Sequence, residues 1–421
     1  MRYIMGVIAL ILIGAFNMKA QSDIEQQIQV KLDSLITKIQ ELQQVVDSLQ
    51  LRQQEQELTQ LRQQALQSAP TVSQKPLQRK SFRQGALNLQ KLNPEISVTG
   101  DALTAYAPGD ASLDPENGFH FRSLDVHFQS SLDPFSLSKV TISFSPEEGV
   151  DVEEAYITWT NPLPRTSITL GRFRQQLGII NRWHVHALDQ SFFPLALRTF
   201  FGEEGLAQTG ISFHTLLPSL TASANEVTLQ IAMNENPGLW GTGKGLPNAL
   251  LHFKNYYDLT DNTYLEIGFT GLVGTNDTLG FQLNTSRGTT RVWGLDISLS
   301  WSPAQYRLYR QLDWRTEFFR IEQYPLHRPG YTGWGGFSYL NYRVNRRWYT
   351  GIRLDYQAPE TPAAPFAKTL QVVPYATVWQ SEFVYIRFQY ILQYLPDTGT
   401  KNSQFLIQVD WAFGPHKHEK Y

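Results

Sequence analysis

The chain has 421 residues, no cysteine, 18% charged residues and a formal net charge of −2 at pH 7. The lack of cysteine excludes disulfide scaffolds, thiolate nucleophiles and cysteine-ligated zinc, and the near-neutral charge argues against a nucleic-acid-binding protein. The mean hydropathy of −0.31 is too polar for a helical membrane protein, yet aromatic residues make up 13% of the chain.

The first twenty residues are typical of an export signal. Arg2 supplies a positive charge, and the apolar run Tyr3–Phe16 is too short to span a bilayer as a helix. Ala20 before Gln21 is a suitable cleavage point. The sequence therefore predicts a signal peptide over residues 1–20, with a buried N-terminal helix as the alternative.

Residues 21–66 show a heptad pattern. Their apolar positions alternate at spacings of four and three, which indicates a coiled-coil seam. The seam residues are Ile28, Leu32, Leu35, Ile39, Leu42, Val46 and Leu49. Leucine at several d positions, with Ile39 and Val46 at a, favours two strands; the alternative is one amphipathic helix lying on a barrel or membrane. Residues 67–93 are rich in Gln, Ser, Lys and Pro and are predicted to be a linker.

Residues 94–413 alternate between apolar and polar positions with a period of two. In the last candidate strand, one face carries Phe405, Ile407, Val409, Trp411 and Phe413, and the other carries Gln404, Leu406, Gln408, Asp410 and Ala412. About sixteen such segments follow one another, each long enough to cross a bilayer as a tilted strand. They predict an all-β fold, a transmembrane antiparallel β-barrel of about sixteen strands, with an N-terminal α-helical coiled coil and a tail at residues 414–421.

The links between these segments alternate between short and long, as they do in transmembrane barrels. One strand is expected to begin near Tyr306 after a tight link at Ser302–Ala304. The link at 130–137 is longer than a tight turn and departs from the regularity. A soluble β-sandwich or propeller is the alternative, but the outward aromatics and the loop asymmetry disfavour it.

The longest link, 173–209, is the candidate constriction, because a long loop that folds into a transmembrane barrel narrows its pore. It is expected on the extracellular side. Its candidate selectivity residues are Arg174, Arg182, His184, His186, Arg198, Glu203 and Glu204. Rings of such charges set ion selectivity in pores.

Further charges are predicted to face the lumen from the strands. They are Arg307, Asp313, Arg315, Glu317, Arg353, Asp355 and Arg387, with Glu266, Asp296 and Asp410 beside them. Both signs are present, whereas a phosphate-specific ladder would need clustered Arg and Lys with free donors. The mixture therefore predicts a modest ion preference.

His184 and His186 form an H-x-H pair. Two imidazoles on one side of an extended segment bind Zn²⁺ when a third ligand arrives, and His214, Asp189 or Glu203 are candidates for that ligand. Ordinary loop histidines are the simpler interpretation, so no metal and no cofactor are predicted. Ser191, His184 and Asp189 offer the residue types of a hydrolase triad, but triads are recognised by geometry, and the prediction is that the protein is not an enzyme.

A periplasmic coiled coil followed by a sixteen-stranded barrel resembles the phosphate-selective porin O and P family. The distinctive stretch is residues 163–218, in which Gly171-Arg172-Phe173 and Gly178 resemble the family's strand-to-loop motif. Gln176 and Leu177 replace its Pro and Phe. The HVHAL and FGEEGL portion is similar to a related group of outer-membrane barrels, some labelled zinc-regulated TonB-dependent receptors. A true TonB-dependent receptor would need about 22 strands and a plug, which this length excludes.

The resemblance implies a trimeric, passive channel. The resulting hypothesis is a Gram-negative outer-membrane porin for small hydrophilic solutes or ions, embedded in outer-membrane lipid, with a homo-oligomeric coiled coil in the periplasm. The alternatives are a plugged barrel that acts as a tether through its coiled coil, a barrel hydrolase, or a metal-linked uptake protein.

Overall fold

The protein is described here by a computed structural model. It covers Lys38 and residues 94–108, 113–146, 149–219, 222–241, 247–276, 288–325 and 329–414. The chain divides into two compact units, Met1–Arg79 and Lys80–Tyr421, and all that follows concerns the second. The predicted signal peptide, coiled coil and linker, and the tail after Gly414, lie outside the described residues.

The described residues of the second unit form a succession of sixteen β-strands. They are β1 (Glu95–Tyr106), β2 (Gly118–Asp133), β3 (Ser136–Ser145), β4 (Gly149–Leu163), β5 (Thr166–Arg174), β6 (Ala207–Leu217), β7 (Ala224–Met233), β8 (Pro247–Thr260), β9 (Thr263–Thr275), β10 (Thr289–Trp301), β11 (Gln311–Tyr324), β12 (Tyr331–Arg343), β13 (Trp348–Pro359), β14 (Thr369–Trp379), β15 (Val384–Leu395) and β16 (Thr400–Phe413).

Each strand pairs antiparallel with its sequence neighbours, and β1 pairs with β16 to close the barrel. The closing register sets Val98 opposite Phe413 and Tyr106 opposite Phe405. Closure removes the unpaired edges that an open sheet would leave. The predicted sixteen-stranded antiparallel barrel is thus confirmed.

The links form two sets at opposite ends of the barrel. The long-link end carries the connections 107–117, 175–206, 234–246 and 276–288, whereas the short-link end has two-residue turns at 134–135, 164–165 and 261–262. The prediction of a longer link at 130–137 was wrong. β2 continues to Asp133 and β3 begins at Ser136, which leaves a two-residue turn. The tight link at Ser302–Ala304 was also wrong, since 302–310 contains a 3-10 turn at Ala304–Tyr306 and β11 begins only at Gln311.

Strand residues alternate between the two surfaces of the barrel. In β10 the side chains of Thr290, Val292, Asp296 and Ser298 are buried on the inner face, and Trp293 is 45% exposed on the outer face. The outer face of other strands carries exposed apolar side chains of the same kind, including Leu251, Phe269, Leu354 and Phe405. The barrel therefore turns apolar groups outward and many polar groups inward, the reverse of a soluble protein.

Within the described part of the second unit, helical structure is confined to the links between strands. The link 175–206 contains 3-10 turns at Ile180–Arg182 and Val185–Ala187 and the helix α1 (Leu195–Phe201). The link 234–246 contains the short helix α2 (Pro237–Trp240). None of the described helices is both long and apolar enough to cross a membrane.

Candidate functional site

The link 175–206 lies inside the barrel and crosses it. Its His184 contacts β4, where both ring nitrogens lie near carboxylates: Nδ1 is 2.7 Å from Glu153 and Nε2 is 3.0 Å from Glu154. Its Asp189 contacts β11 and β12, which lie opposite β4 in the ring of strands. We call this segment the internal loop.

Asp189 is bound by three side chains of the far wall. Its carboxylate accepts hydrogen bonds from Arg315 (3.4 Å) and Tyr339 (3.0 Å), and from Asn341 (3.1 Å). Arg315 also stacks over the ring of Trp183 in the internal loop, with 4.9 Å between its guanidinium carbon and the ring centre. A buried carboxylate with several donors is held much more firmly than a surface ion pair, so this contact fixes the middle of the loop.

Glu317 of β11 fixes the start of the loop. Its Oε1 accepts from the backbone N–H groups of Ile179 (3.0 Å) and Ile180 (2.8 Å), which open a 3-10 turn and have no earlier carbonyl to bond. Gly178 precedes them with a φ of +62°, and a β-carbon there would collide with the Glu317 carboxylate. Only glycine suits both the left-handed backbone and the close approach.

Strand side chains also bind the backbone of the second half of the loop. Tyr385 donates to the carbonyl of His186 (3.1 Å), Arg387 to that of Leu188 (2.6 Å), and Arg353 to that of Phe192 (2.9 Å). These inward side chains of β13 and β15 satisfy loop carbonyls that would otherwise be buried without partners. These side chains thus hold the loop against the wall, and Tyr385 and Arg387 also line a cavity beside it.

The internal loop also builds an apolar core with the barrel wall near the long-link end. The core joins loop residues to α2 and to inward residues of β8, β9, β10, β11 and β12. Its members include Leu177, Ile180, Trp183, Phe193, Leu197, Phe201, Leu239, Trp240, Leu250, Leu272, Val292, Phe319, Ile321 and Phe337. Burial of this apolar surface stabilises the docked loop. The sequence contains one indication of this core: apolar residues such as Val292, Phe319 and Ile321 occupy positions on the otherwise polar inner face of their strands.

A bulge places two adjacent carboxylates on the inner face of β4. Thr141 pairs with Glu154 and Ile142 pairs with Val152, so Glu153 is the extra residue. Alternation would turn one of the two glutamates outward, but a bulge re-aims a side chain, and both are buried. Arg174 bonds Glu153 (2.7 Å), and Lys139 pairs with Glu154 (3.0 Å).

His184 is clamped between these two carboxylates. Burial by itself would lower the pKa of His184, but the adjacent carboxylate of Glu153, together with that of Glu154, outweighs burial and raises the pKa. The ring therefore favours the doubly protonated form, which donates to both glutamates. The hydrolase triad does not assemble, because His184 contacts β4 whereas Asp189 contacts the opposite wall.

The remaining predicted residues lie in different places. Asp313, Arg315, Glu317, Arg353, Asp355 and Arg387 are buried on the inner face. The prediction that Arg307 faces the lumen from a strand was wrong. Arg307 lies exposed in the 302–310 link, because β11 begins four residues later. Arg198 and Glu203 pair with each other (3.1 Å), and the Glu203 side chain is 63% exposed. The backbone carbonyl of Glu204 accepts from Arg174.

Two polar cavities lie beside the internal loop. One, of about 280 Å³, is lined by residues of β3–β7, including Arg174 at the end of β5, and by Gln176 and Arg182 of the internal loop. The other, of about 220 Å³, is lined by residues of β11–β15 and by His186 and Asp189 of the internal loop. Arg182 is exposed, bonds Gln176 (3.0 Å), and forms no ion pair within the described part of the chain. It is therefore a cation available to a solute in the first cavity.

Comparison with known proteins supports the fold. No family model matches the chain. An uncharacterized protein of Aquifex aeolicus is 26% identical over 341 residues, which are 72% of this chain and 70% of that protein.

Solved porin structures resemble the barrel at low sequence identity. An anion-selective porin from Comamonas acidovorans matches with a TM-score of 0.54 and 10% identity, over 76% of this chain and 99% of its own. The outer membrane channel DcaP of Acinetobacter baumannii matches at 0.51 and 10%, over 76% and 96%. OprB of Pseudomonas putida matches at 0.51 and 9%, over 79% and 96%. The chain thus has the sixteen-stranded barrel fold of these porins.

Proposed function

We propose that the protein is a porin-like channel of the outer membrane, through which small hydrophilic solutes or ions diffuse passively around the internal loop. The observation that carries the proposal is the closed barrel with an apolar outer face and a largely polar inner face. An apolar outer band suits lipid, and a polar lumen suits water and solutes. No catalytic step is part of this proposal.

The internal loop would set the permeability of the channel. It occupies the centre of the lumen, so solutes would pass through the polar cavities at its sides. Several charges that line these cavities are paired within the protein, such as Lys139 with Glu154 (3.0 Å) in the first cavity and Asp189 with Arg315 (3.4 Å) in the second. Pairing lowers the net field on a passing ion, which fits the expected modest selectivity and gives no support to a phosphate-specific ladder.

A plugged barrel is the second candidate, and the apolar core of the internal loop favours it. A loop that only narrowed a wet pore would have little reason to bury Trp183, Phe193 and Phe201 against the wall. In this second candidate the barrel would anchor the N-terminal residues, and the predicted coiled coil of residues 21–66 would be the working part.

The N-terminal residues are proposed, from their sequence, to direct export and assembly. Residues 1–20 would direct export, and residues 21–66, joined through the linker 67–93 to β1 at the short-link end, would form a periplasmic coiled coil of a homo-oligomer. Either a dimer or a trimer satisfies this arrangement.

Single-channel conductance of the purified full-length protein in planar bilayers tests the proposal. A diffusion channel gives stepwise openings, in groups if oligomers insert. A folded, heat-modifiable protein that gives no openings contradicts the diffusion channel and supports the plugged barrel.

Arg182→Glu should shift the ion preference of the channel toward cations. The substitution replaces the exposed cation of the first cavity with an anion, and the sign of charge in a pore sets its preference. The measurement is the reversal potential in a KCl gradient. Arg310→Glu is the matched control, because Arg310 is exposed in the 302–310 link, outside both cavities; an equal shift in both variants would show that overall charge, not the cavity, is responsible.

A further inference from the structure

A histidine and a carboxylate of β2 meet a histidine of the internal loop. Asp125 and His127 lie two residues apart and so share the inner face of β2. Together with His186 they offer one ligand atom each, and these three atoms lie within 4.8 Å of one another. All three residues are at least 96% buried. We call this set the His-Asp cluster.

The donor set is one that transition metals prefer. Two imidazole nitrogens and one carboxylate oxygen are ligands for Zn²⁺ and for its divalent first-row neighbours. The Nδ1 atom of His186 is already 3.4 Å from Oδ2 of Asp125, close to the separation of two ligands on one ion. Three protein ligands would leave further positions for water.

Hydroxyl groups around the cluster orient its side chains. Ser143 donates to Oδ1 of Asp125 (2.7 Å), which leaves Oδ2 directed at His186. The His127 ring lies between the hydroxyls of Thr99 (3.3 Å from Nε2) and Thr141 (3.1 Å from Nδ1). When one ring nitrogen binds a cation, the other keeps its threonine partner, which is the usual support of a metal-bound histidine.

The other carboxylates near the cluster are paired with cationic side chains, whereas the carboxylate of Asp125 lies within the cluster itself. Glu153 faces Arg174 and His184, and Glu154 faces Lys139 and His184. Asp125 has no lysine or arginine partner among the residues that the structure describes. A buried carboxylate without such a partner is costly, and a bound cation would compensate its charge.

We infer that the His-Asp cluster binds a divalent transition-metal ion of the Zn²⁺ type, which would tie the internal loop to β2. This goes beyond the proposed channel, because it would add a cross-link between a loop and the lumen wall. It also changes the assignment of the H-x-H pair. His184 has both ring nitrogens on glutamates and is not a ligand, and Asp125 and His127 take the place expected for His214, Asp189 or Glu203.

Metal titration of the full-length protein tests the inference. The protein is purified in detergent, freed of metal with EDTA, and titrated with Co²⁺, whose visible absorption reports its coordination, and then with Zn²⁺ as competitor. One site per chain is expected. His127→Ala and His186→Ala should each weaken binding by at least about tenfold, and Ser143→Ala, which removes a supporting contact, by about tenfold.

Matched variants keep the test specific. His214→Ala removes a histidine of β6 outside the cluster, and a His416→Ala, His418→Ala double variant removes the two histidines of the C-terminal tail; both should bind like wild type. Asp125→Asn keeps the shape of the site if an alanine variant fails to fold, as judged by heat-modifiable migration. Wild-type binding no tighter than that of His127→Ala and His186→Ala would overturn the inference. Conductance in EDTA tests the channel separately.

Discussion

Asp189→Ala should increase the single-channel conductance of the protein. The substitution leaves Arg315 and the hydroxyl of Tyr339 without their shared acceptor in the middle of the lumen. Breaking a buried charge pair by removing one partner costs about 3–5 kcal/mol; Arg315 keeps a longer contact with Asp313 (3.8 Å), so part of that cost falls on the docked state of the internal loop. A loop that leaves the wall more often opens more of the lumen, and the effect is measured as larger or longer-lived openings in planar bilayers.

Two further variants isolate the cause. Asp189→Asn keeps an acceptor oxygen and the shape of the residue, so its conductance should lie between those of the wild type and the alanine variant. Asp261→Ala removes an exposed carboxylate in the turn 261–262 and should leave conductance unchanged. If Asp189→Ala conducts like the wild type, the loop does not limit passage through this barrel.

Trp240→Ala should give the largest loss of stability of any single substitution in α2. Its side chain is 1% exposed in the apolar core that joins α2, the internal loop and the wall. Truncation of a fully buried aromatic side chain costs about 3–5 kcal/mol, because the lost contacts leave a cavity. We expect a lower urea midpoint of unfolding in lipid vesicles, measured by far-ultraviolet circular dichroism.

Trp293→Ala is the matched control. Its ring lies on the outer face of β10, 45% exposed, beside Phe269. In a bilayer, lipid chains fill the space that the ring leaves, so the midpoint should fall much less. Equal losses in the two variants would show that the interior core contributes no more than the outer belt.

The barrel could be predicted from the sequence because each strand repeats the same local rule. A strand with lipid on one side and a lumen on the other must alternate, as β16 does with Phe405 and Leu406 on opposite faces. The rule failed after β10, where aromatic residues such as Tyr306 extend the alternation into a link. Alternation identifies a pleated segment, but it does not state where the pairing stops.

The internal loop could be predicted only in part. Its length marked it as special, and the inward fold was expected. Its attachments were not, because they depend on residues far apart in the chain, such as His186 with Asp125. The bulge at Glu153 was also invisible, since two neighbouring glutamates in a strand read as one inward and one outward residue. Such contacts follow from barrel closure and register, not from any local pattern.

The attachment of the internal loop to opposite walls has a mechanical consequence. In a closed sheet each strand bonds only its two neighbours, so the sheet itself contains no bond between one wall and the wall opposite. Here Glu153 and Glu154 on one side and Arg315 and Asn341 on the other hold the same segment. Any change of cross-section that moves these two walls apart must stretch buried hydrogen bonds, so the loop acts as an internal tie between them.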